Sequence, residues 1–340
     1  MTRDDPSDGG GSDGLDAVGR DAVDHDVGER NVGDCDVGER DLVDDATLAL
    51  LLEVAGTPKP GNVDRRRDLD DLRFESFLGG AVGARAGLEL AADETAPVGR
   101  AFERGVAGMA ERAETNTQFG CLLLLVPLLR ASAAGDLSPA GVDRVARATT
   151  VDDAVAFYAA FEHVDVGVSD PPPGADDLDV RRGSDAAPAL RDRGTTLRDV
   201  MALSAAGDAD RIPDRNAQEW VEGFPRTFRA VEWIRTDDGP LTDRAARAFL
   251  GLLATEPDTL IAASHGPETA REASERAAAV LGGGAERAEV DTEAVHATDL
   301  AAADEVAEAF VAEGINPGTT ADLTCAALYV ALRRGAEVAP

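Results

Sequence analysis

The scarcity of aromatic residues is the feature that most constrains how this chain can fold. Phe, Trp and Tyr make up only 4% of its 340 residues, whereas 44% of the residues are hydrophobic. The core must therefore be built from Ala, Leu and Val. Because Ala and Leu favour helices, whereas strands favour aromatic and β-branched residues, the composition favours an all-α fold. A chain of this length can bury one large core or two smaller ones.

Apolar residues recur every three or four positions along most of the chain after residue 43, which is the spacing of a buried helix face. This pattern predicts one compact multi-helix domain over residues 44–336, with residues 164–190 as the boundary if the domain has two lobes. Within that boundary region, Val164–Val168 is compatible with a short strand. Helices are predicted at about 44–55, 72–82, 97–113, 119–134, 138–147, 151–161, 195–206, 214–235, 240–254, 266–281, 299–313 and 318–334.

Residues 1–43 differ in composition from the rest of the chain, because they are rich in Asp and Gly and poor in large apolar residues. They also contain a near-repeat, in which Asp26–Arg30 has the same sequence as Asp36–Arg40. Such a segment cannot bury enough apolar surface to offset the entropy lost on ordering. We predict that it is a disordered acidic tail.

The net charge of -32 limits the kinds of molecule that the protein can bind. Residues 1–45 carry -11, which leaves -21 for the remainder, so the acidity extends over the whole protein. A protein that binds nucleic acid through a basic surface is excluded. Arginine supplies every basic residue except Lys59. This composition is typical of proteins in a cytosol of very high salt, where screening weakens the repulsion between acidic groups.

The termini and the cysteines indicate a cytoplasmic protein without a membrane anchor. The N-terminus is acidic and has no apolar stretch of the kind found in signal peptides. The longest apolar run, Cys121–Leu129, is too short to span a bilayer and contains Pro127. Three well-separated cysteines provide neither a disulfide framework nor a zinc site.

Three turns beside strongly apolar helices carry the polar residues from which a site can be built. In Thr57–Asp64, two prolines and a glycine fix the backbone around Lys59. In Thr115–Gly120, hydroxyl and amide side chains precede a helix, where free N–H groups can bind a phosphate or a ribose. In Gly314–Leu323, a Pro-Gly turn places Asp322 in the first turn of a helix. Each turn alone is equally compatible with an ordinary helix connection or cap.

Taken together, four motifs in order resemble those of the triphosphoribosyl-dephospho-CoA synthases. Pro58–Asp64 is similar to that family's Pro-Lys-Pro-Gly-x-Val-Asp, and Asn116–Gly120 is similar to its Asn-Thr-x-x-Gly. Pro257–Thr259, followed by Ser264–Gly266, resembles its Asp-Thr segment with a downstream glycine. Asn316–Leu323 resembles its closing Ser-Pro-Gly-Gly-Ser-Ala-Asp-Leu. The resemblance extends from about residue 46 to residue 332 and is weakest over residues 160–240.

Two departures from the family pattern identify this chain as a divergent member. Gln118-Phe119 stands where well-known bacterial members have His-Lys, which removes two cationic residues. The family's Gly-Ala-His-x-Asp-Met is not recognisable, and Arg65–Asp71 stands in its place. We therefore expect the fold to be retained more faithfully than the acceptor substrate.

The resemblance implies a transferase that joins the ribose of ATP to the 2′-hydroxyl of 3′-dephospho-CoA and releases adenine. It implies that Lys59 and Arg65 bind the triphosphate, that Asp64 binds Mg²⁺, and that Asp322 or Asp258 activates the acceptor hydroxyl. Glu53 is a candidate second catalytic carboxylate. The other candidate substrate contacts are Asn62, Asn116, Thr117, His265, Asn316 and Thr320.

Three alternatives to this function remain open from the sequence. The first is a related ribosyl transferase that uses ATP with another acceptor. The second is a helical Mg²⁺-dependent nucleotide phosphohydrolase, which would release phosphate rather than adenine. The third is a binding protein that has lost the reaction, although the retained Asp64, Asp258 and Asp322 argue against it.

Overall fold

The structure, a computed structural model, describes residues 41–168, 170–171, 174–207, 212–282 and 290–338. Over these residues the chain forms seventeen α-helices, two short 3₁₀ helices and no strand, so the all-α prediction is confirmed. Residues from Arg40 onward form one compact unit. The predicted disordered tail lies outside the described residues, except for residues 41–43, which already belong to the start of the first helix.

The helices follow one another with short connections. The first nine are α1 (Leu42–Ala55), α2 (Phe74–Gly83), α3 (Arg85–Ala92), α4 (Val98–Ala113), α5 (Phe119–Ala133), α6 (Pro139–Arg147), α7 (Val151–Ala160), α8 (Ala187–Arg193) and α9 (Leu197–Ala205). The others are α10 (Arg215–Glu222), α11 (Pro225–Thr236), α12 (Leu241–Thr255), α13 (Thr259–His265), α14 (Pro267–Val280), α15 (Thr292–His296), α16 (Leu300–Glu313) and α17 (Gly318–Arg333). The 3₁₀ helices are Asp176–Leu178 and Val180–Ala186.

Two helices, α5 and α17, form the centre of the core. Both are apolar around most of their circumference, as expected of helices enclosed by other helices. In α17 nearly every residue from Thr319 to Leu332 is buried, and in α5 the same holds from Cys121 to Leu129. The two helices pack against each other, and α17 also packs against α1, α11 and α12. Their N-terminal ends thereby come together on one side of the core.

Side-chain caps fix where several helices begin. Asp41 accepts hydrogen bonds from the backbone N–H groups of Val43 and Asp44, so α1 begins at Leu42, two residues before the start predicted at about residue 44. Thr150 and Asp153 form a reciprocal capping box at α7, as Thr196 and Asp199 do at α9. These caps satisfy backbone donors that would otherwise lack partners at the helix starts.

Two sequence predictions are corrected by the structure. Residues 164–168 are not a strand, because no neighbouring strand exists among the described residues to pair with them, and four of these residues line a cavity instead. The helix predicted at 214–235 is divided into α10 and α11. Gly223 and Phe224 adopt left-handed backbone conformations there, and Pro225 begins the next helix. Within the described part of the chain, no helix is both long and apolar enough to cross a membrane.

Close packing of α3 against α4 generates a test of the fold with a matched control. A Cβ atom on Gly87 would overlap the backbone of Gly105, whereas a Cβ atom on Gly105 would lie 3.6 Å from Leu122, an ordinary contact. We expect Gly87→Ala to destabilise the protein by about 1–3 kcal/mol, the usual effect of overpacking. Gly105→Ala is expected to be neutral or stabilising, because Ala is the better helix former. Thermal unfolding measures the stability of the two variants. Equal changes in melting temperature would contradict this packing.

Candidate functional site

A cavity of about 490 Å³ lies where the N-terminal ends of α5, α10 and α17 meet. Its volume is within the range of pockets that hold one small-molecule ligand. One part of its wall is polar and the other is apolar. The polar part includes Glu53, Asn62, Asn116, Thr117, Asp214, Asn216, Asn316, Thr319 and Asp322. The apolar part includes Leu72, Phe77, Phe119, Phe157, Phe161, Val166, Leu178, Met201 and Leu260.

Asp322 lies in the first turns of α17 and is held by side chains from two other helices. Asn216 of α10 donates from Nδ2 to Asp322 Oδ2 at 2.8 Å, and the thiol of Cys121 on α5 donates to Oδ1 at 3.3 Å. Asp322 is partly exposed to the cavity, and the burial of its carboxyl group raises its pKa to about 8, against the opposing effect of the two hydrogen bonds. Asp322 is therefore mostly a neutral carboxylic acid at pH 7.

The thiol of Cys121 is a stable donor in this arrangement. A hydrogen bond with Cys325, together with burial, raises the pKa of the Cys121 thiol well above its ordinary value. The sulfur therefore keeps its proton and is poorly suited to act as a nucleophile. Both cysteines are free, and the structure assigns them to packing beneath Asp322.

Lys59 is fully buried and forms an ion pair with Glu53 of α1. The ammonium group also donates to Asn62 Oδ1 at 3.0 Å, and Asn62 Nδ2 donates to Asn316 Oδ1 at 2.9 Å. Glu53, Asn62 and Asn316 line the cavity, whereas Lys59 lies behind them. Burial raises the pKa of Glu53, and the positive charge of Lys59 opposes this shift. The structure thus places Lys59 behind the cavity wall, which it supports, and its contact with the triphosphate stays a prediction.

Asp64 and the arginines after it lie outside the cavity. Asp64 accepts hydrogen bonds from the backbone N–H groups of Lys59, Arg66 and Arg67 and from the guanidinium of Arg67. Its oxygens are therefore used to hold the loop, which does not favour the predicted Mg²⁺ role. Arg65 is exposed, its Nε donates to Thr57 Oγ1 at 3.4 Å, and it does not line the cavity.

Asp258 joins the starts of two helices rather than facing the cavity. Its Oδ1 accepts from the backbone N–H groups of Leu260 and Ile261, and its Oδ2 accepts from the backbone and hydroxyl of Thr320, both at 2.7 Å. These four hydrogen bonds use the carboxylate to cap α13 and α17. Thr320 supplies the two donors on the α17 side of this contact. Neither residue lines the cavity, so neither reaches the predicted catalytic or substrate-binding position.

The segment before α5 does reach the cavity. Asn116 and Thr117 both line it, and Asn116 Oδ1 accepts from the backbone N–H of Phe119 at 3.2 Å. Phe119 joins an aromatic cluster with Phe102, Phe157 and Phe161. The position at which the resembled family has a cationic residue is therefore part of the apolar wall. His265, by contrast, is exposed at the end of α13 and does not line the cavity.

The charge of the cavity wall is negative. Seven of the lining residues are acidic, and none of those described is Lys, Arg or His. The N-terminal ends of α5, α10 and α17 bring partial positive charge to the same place. Among the described residues, no cluster of three or more His, Cys, Asp and Glu side chains is close enough to bind a metal ion. A metal ion here would thus need ligands from the substrate.

Three cavity residues were not found from the sequence: Asp214, Asn216 and Cys121. Asp214 caps α10 by accepting from the backbone N–H of Ala217 at 2.8 Å, and Asn216 follows two residues later. They lie in the region where the family resemblance is weakest, and their place depends on α10 meeting α17. The only sequence signal was the polar cluster at the start of the helix predicted from residue 214.

The buried ion pair yields a double-variant test. Lys59→Met would leave Glu53 buried without its partner, and we expect a loss of about 3–5 kcal/mol in the free energy of unfolding. Combining Lys59→Met with Glu53→Gln removes both charges and should recover much of this loss. Denaturant unfolding in molar KCl measures all three variants. A Lys59→Met protein as stable as the wild type would show that the pair contributes nothing.

The pKa of Asp322 predicts a pH-dependent stability difference. An unfolded Asp ionises near about pH 4, whereas folded Asp322 keeps its proton to about pH 8. Between these values the folded state binds the extra proton, so this residue lowers stability progressively as the pH rises from about 4 to 8. We expect the melting-temperature gain of Asp322→Asn over wild type to grow from pH 5 to pH 9. The exposed Asp192→Asn is the control, and a gain independent of pH would contradict the prediction.

The chain matches known proteins at the level of family and fold. The sequence profile of the ATP:dephospho-CoA triphosphoribosyl transferase family matches residues 39–339. A crystal structure from Archaeoglobus fulgidus, provisionally described as a triphosphoribosyl-dephospho-CoA synthase, superposes with a TM-score of 0.56 and 24% sequence identity. The match covers 78% of this chain and 100% of that one, and it supports the fold. No curated protein matches the sequence. Because the profile covers most of the chain, the protein belongs to the ATP:dephospho-CoA triphosphoribosyl transferase family and is a transferase.

Proposed function

We propose that this cavity transfers the triphosphoribosyl group of ATP to the 2′-hydroxyl of 3′-dephospho-CoA and releases adenine. The observation that carries the assignment to this cavity is Asp322, a protonated carboxyl held in the wall by Asn216 and Cys121. A second carboxylate, Glu53, lines the same cavity, and its charge contributes to raising the pKa of Asp322. Two carboxyl groups in one cavity, one with a pKa of about 8 and the other paired with a cation, are typical of an enzyme that transfers a glycosyl group.

Asp322 acts as the general acid. The bond between C1′ of the ribose and N9 of adenine breaks, and the base accepts a proton from Asp322 as it leaves. This role differs from the activation of the acceptor hydroxyl predicted from the sequence. The reason is physical, because a carboxyl with a pKa of about 8 holds its proton at pH 7 and has it available to donate.

Glu53 acts on the other reactant. As C1′–N9 breaks, positive charge develops on the ribose, and a carboxylate in the cavity stabilises it. The 2′-oxygen of dephospho-CoA then bonds to C1′, and its proton passes to Glu53. Lys59 favours the charged form of Glu53, against the effect of burial, and holds it in place by their ion pair. Exchange with solvent after product release returns both carboxyl groups to their starting states.

The remaining polar residues orient the substrates. Asn62 and Asn316, already joined by a hydrogen bond, present amide groups to the cavity, as Asn116 and Thr117 do from the opposite segment. The phosphates meet the N-terminal ends of helices instead of cationic side chains. The donor set fits Mg²⁺ bound mainly by the phosphates and by a carboxylate of the cavity wall such as Asp214. Bound Mg²⁺ would neutralise the charge of the triphosphate.

We further propose that the enzyme works in a cytoplasm of high salt. The net charge of -32 and the replacement of lysine by arginine everywhere except at Lys59 support this setting. Molar KCl is accordingly the medium for the assays.

The test of the reaction is to incubate the protein with ATP and Mg²⁺, with and without dephospho-CoA, and to separate bases and nucleotides by chromatography. We expect free adenine only when dephospho-CoA is present. If adenine is released only with a different acceptor, that acceptor is the substrate in place of dephospho-CoA. Phosphate without adenine would favour the phosphohydrolase.

The role of Asp322 predicts both a rate loss and the direction of a pH profile. Asp322→Asn should lower adenine release by about 10²- to 10⁴-fold, the usual contribution of a general acid. In the wild type, kcat/KM should fall as the pH rises above about 8, because Asp322 then loses its proton. Asp192→Asn is the control and should retain full activity. A kcat/KM that rises through pH 8 would instead identify Asp322 as a base.

A further inference from the structure

Asn216 is a buried side chain only half of whose hydrogen-bonding groups are used. Its Nδ2 donates to Asp322 Oδ2 at 2.8 Å, but its Oδ1 is buried and has no partner in the described part of the protein. The side chain is 7% exposed and lines the cavity. Buried carbonyl oxygens are nearly always paired in folded proteins. This oxygen therefore indicates that a ligand supplies the missing donor.

The Asn216–Asp322 pair offers a donor beside an acceptor. The protonated carboxyl of Asp322 has an O–H to donate, and Asn216 Oδ1 accepts. Gly120 of α5 packs against both groups, and a Cβ atom at this position would overlap Asp322 Oδ2 and approach Asn216 Nδ2 to 2.8 Å. The glycine thus leaves room for the two polar side chains to meet at the cavity.

Adenine has one edge that matches this arrangement. Its N7 is an acceptor, and the adjacent N6 amino group is a donor, whereas guanine places two acceptors, N7 and O6, at the same positions. With guanine, Asn216 Oδ1 would face an acceptor and would remain unpaired, which is unfavourable in a buried site.

We propose that Asn216 and Asp322 together recognise the N7/N6 edge of the adenine of ATP: Asp322 donates to N7, and Asn216 Oδ1 accepts from the N6 amino group. The proposal rests on the proposed function, because it makes N7 the atom that Asp322 protonates when adenine leaves. Asn216 is then a specificity-determining residue as well as the residue that positions Asp322. The cavity selects adenosine over guanosine triphosphates by this contact.

The test is equilibrium binding of ATP, GTP and 7-deaza-ATP, which lacks N7, to the full chain in molar KCl with Mg²⁺. We expect GTP and 7-deaza-ATP each to bind more weakly than ATP by about 10- to 100-fold, the range of one bidentate base contact. In Asn216→Ala, the ATP-to-GTP ratio should fall to within about threefold. Equal affinities for ATP and GTP in the wild type would overturn the proposal.

The ATP-to-GTP affinity ratio of the Asn216 variant also distinguishes recognition of the base by Asn216 from mere support of Asp322. If Asn216 only holds Asp322, Asn216→Ala will weaken ATP and GTP equally and leave their ratio unchanged, which also overturns the proposal. Asn216→Ser replaces the alanine variant if the latter does not fold, as judged by its melting temperature. Adenine release on dephospho-CoA without base discrimination would leave the proposed function standing while this inference fails. If the protein binds ATP more tightly than GTP but releases no adenine, the base-recognition inference stands and the proposed function fails.

Discussion

The ion pair between Lys59 and Glu53 is the interaction on which the rest of the site depends. Both side chains are almost fully buried, so each charge needs the other to offset its lost hydration. From Lys59 a chain of hydrogen bonds continues through Asn62 to Asn316. This chain of hydrogen bonds joins α1 and the loop after it to the turn before α17, which is distant from both in sequence. The carboxylate and the two amides are thereby fixed as one wall of the cavity.

The charge of this wall is unusual for an enzyme whose family acts on polyphosphates. None of the described lining residues is cationic, and Arg66 and Arg67, which follow Asp64 closely, both pair with Asp304 of α16. Helix N-termini provide a positive potential without a basic side chain. Cations from solution can also balance the negative charge of the wall, especially where salt is concentrated. The negative wall is therefore compatible with a substrate that binds together with its counterions.

The sequence predicted the helices well and the direction of side chains poorly. Helical periodicity is local, so eleven of the twelve predicted segments each correspond to one observed helix, the twelfth is divided into two, and the all-α fold follows. The same motifs named Lys59, Asp64 and Asp258, but the partners that these groups find in the folded chain decide where they point. Asp258 is used by Thr320, 62 positions away, and Lys59 is enclosed by Glu53 and Asn62. Spacing alone contains no information about these contacts. The supposed strand at 164–168 failed for a similar reason, since a strand needs a partner that the described fold does not provide.

Asn216 shows what only the assembled structure provides. It lies outside every motif, and it contacts Asp322 over a separation of 106 residues. The contact also changes the chemistry expected of Asp322, since enclosure by α5, α10 and α17 is what keeps its proton at neutral pH. A carboxyl so enclosed destabilises the fold, because the unfolded chain would ionise it freely. Retaining it beside an amide oxygen without a partner is unfavourable for stability alone. Both features become favourable together once a base that needs one donor and one acceptor occupies the cavity.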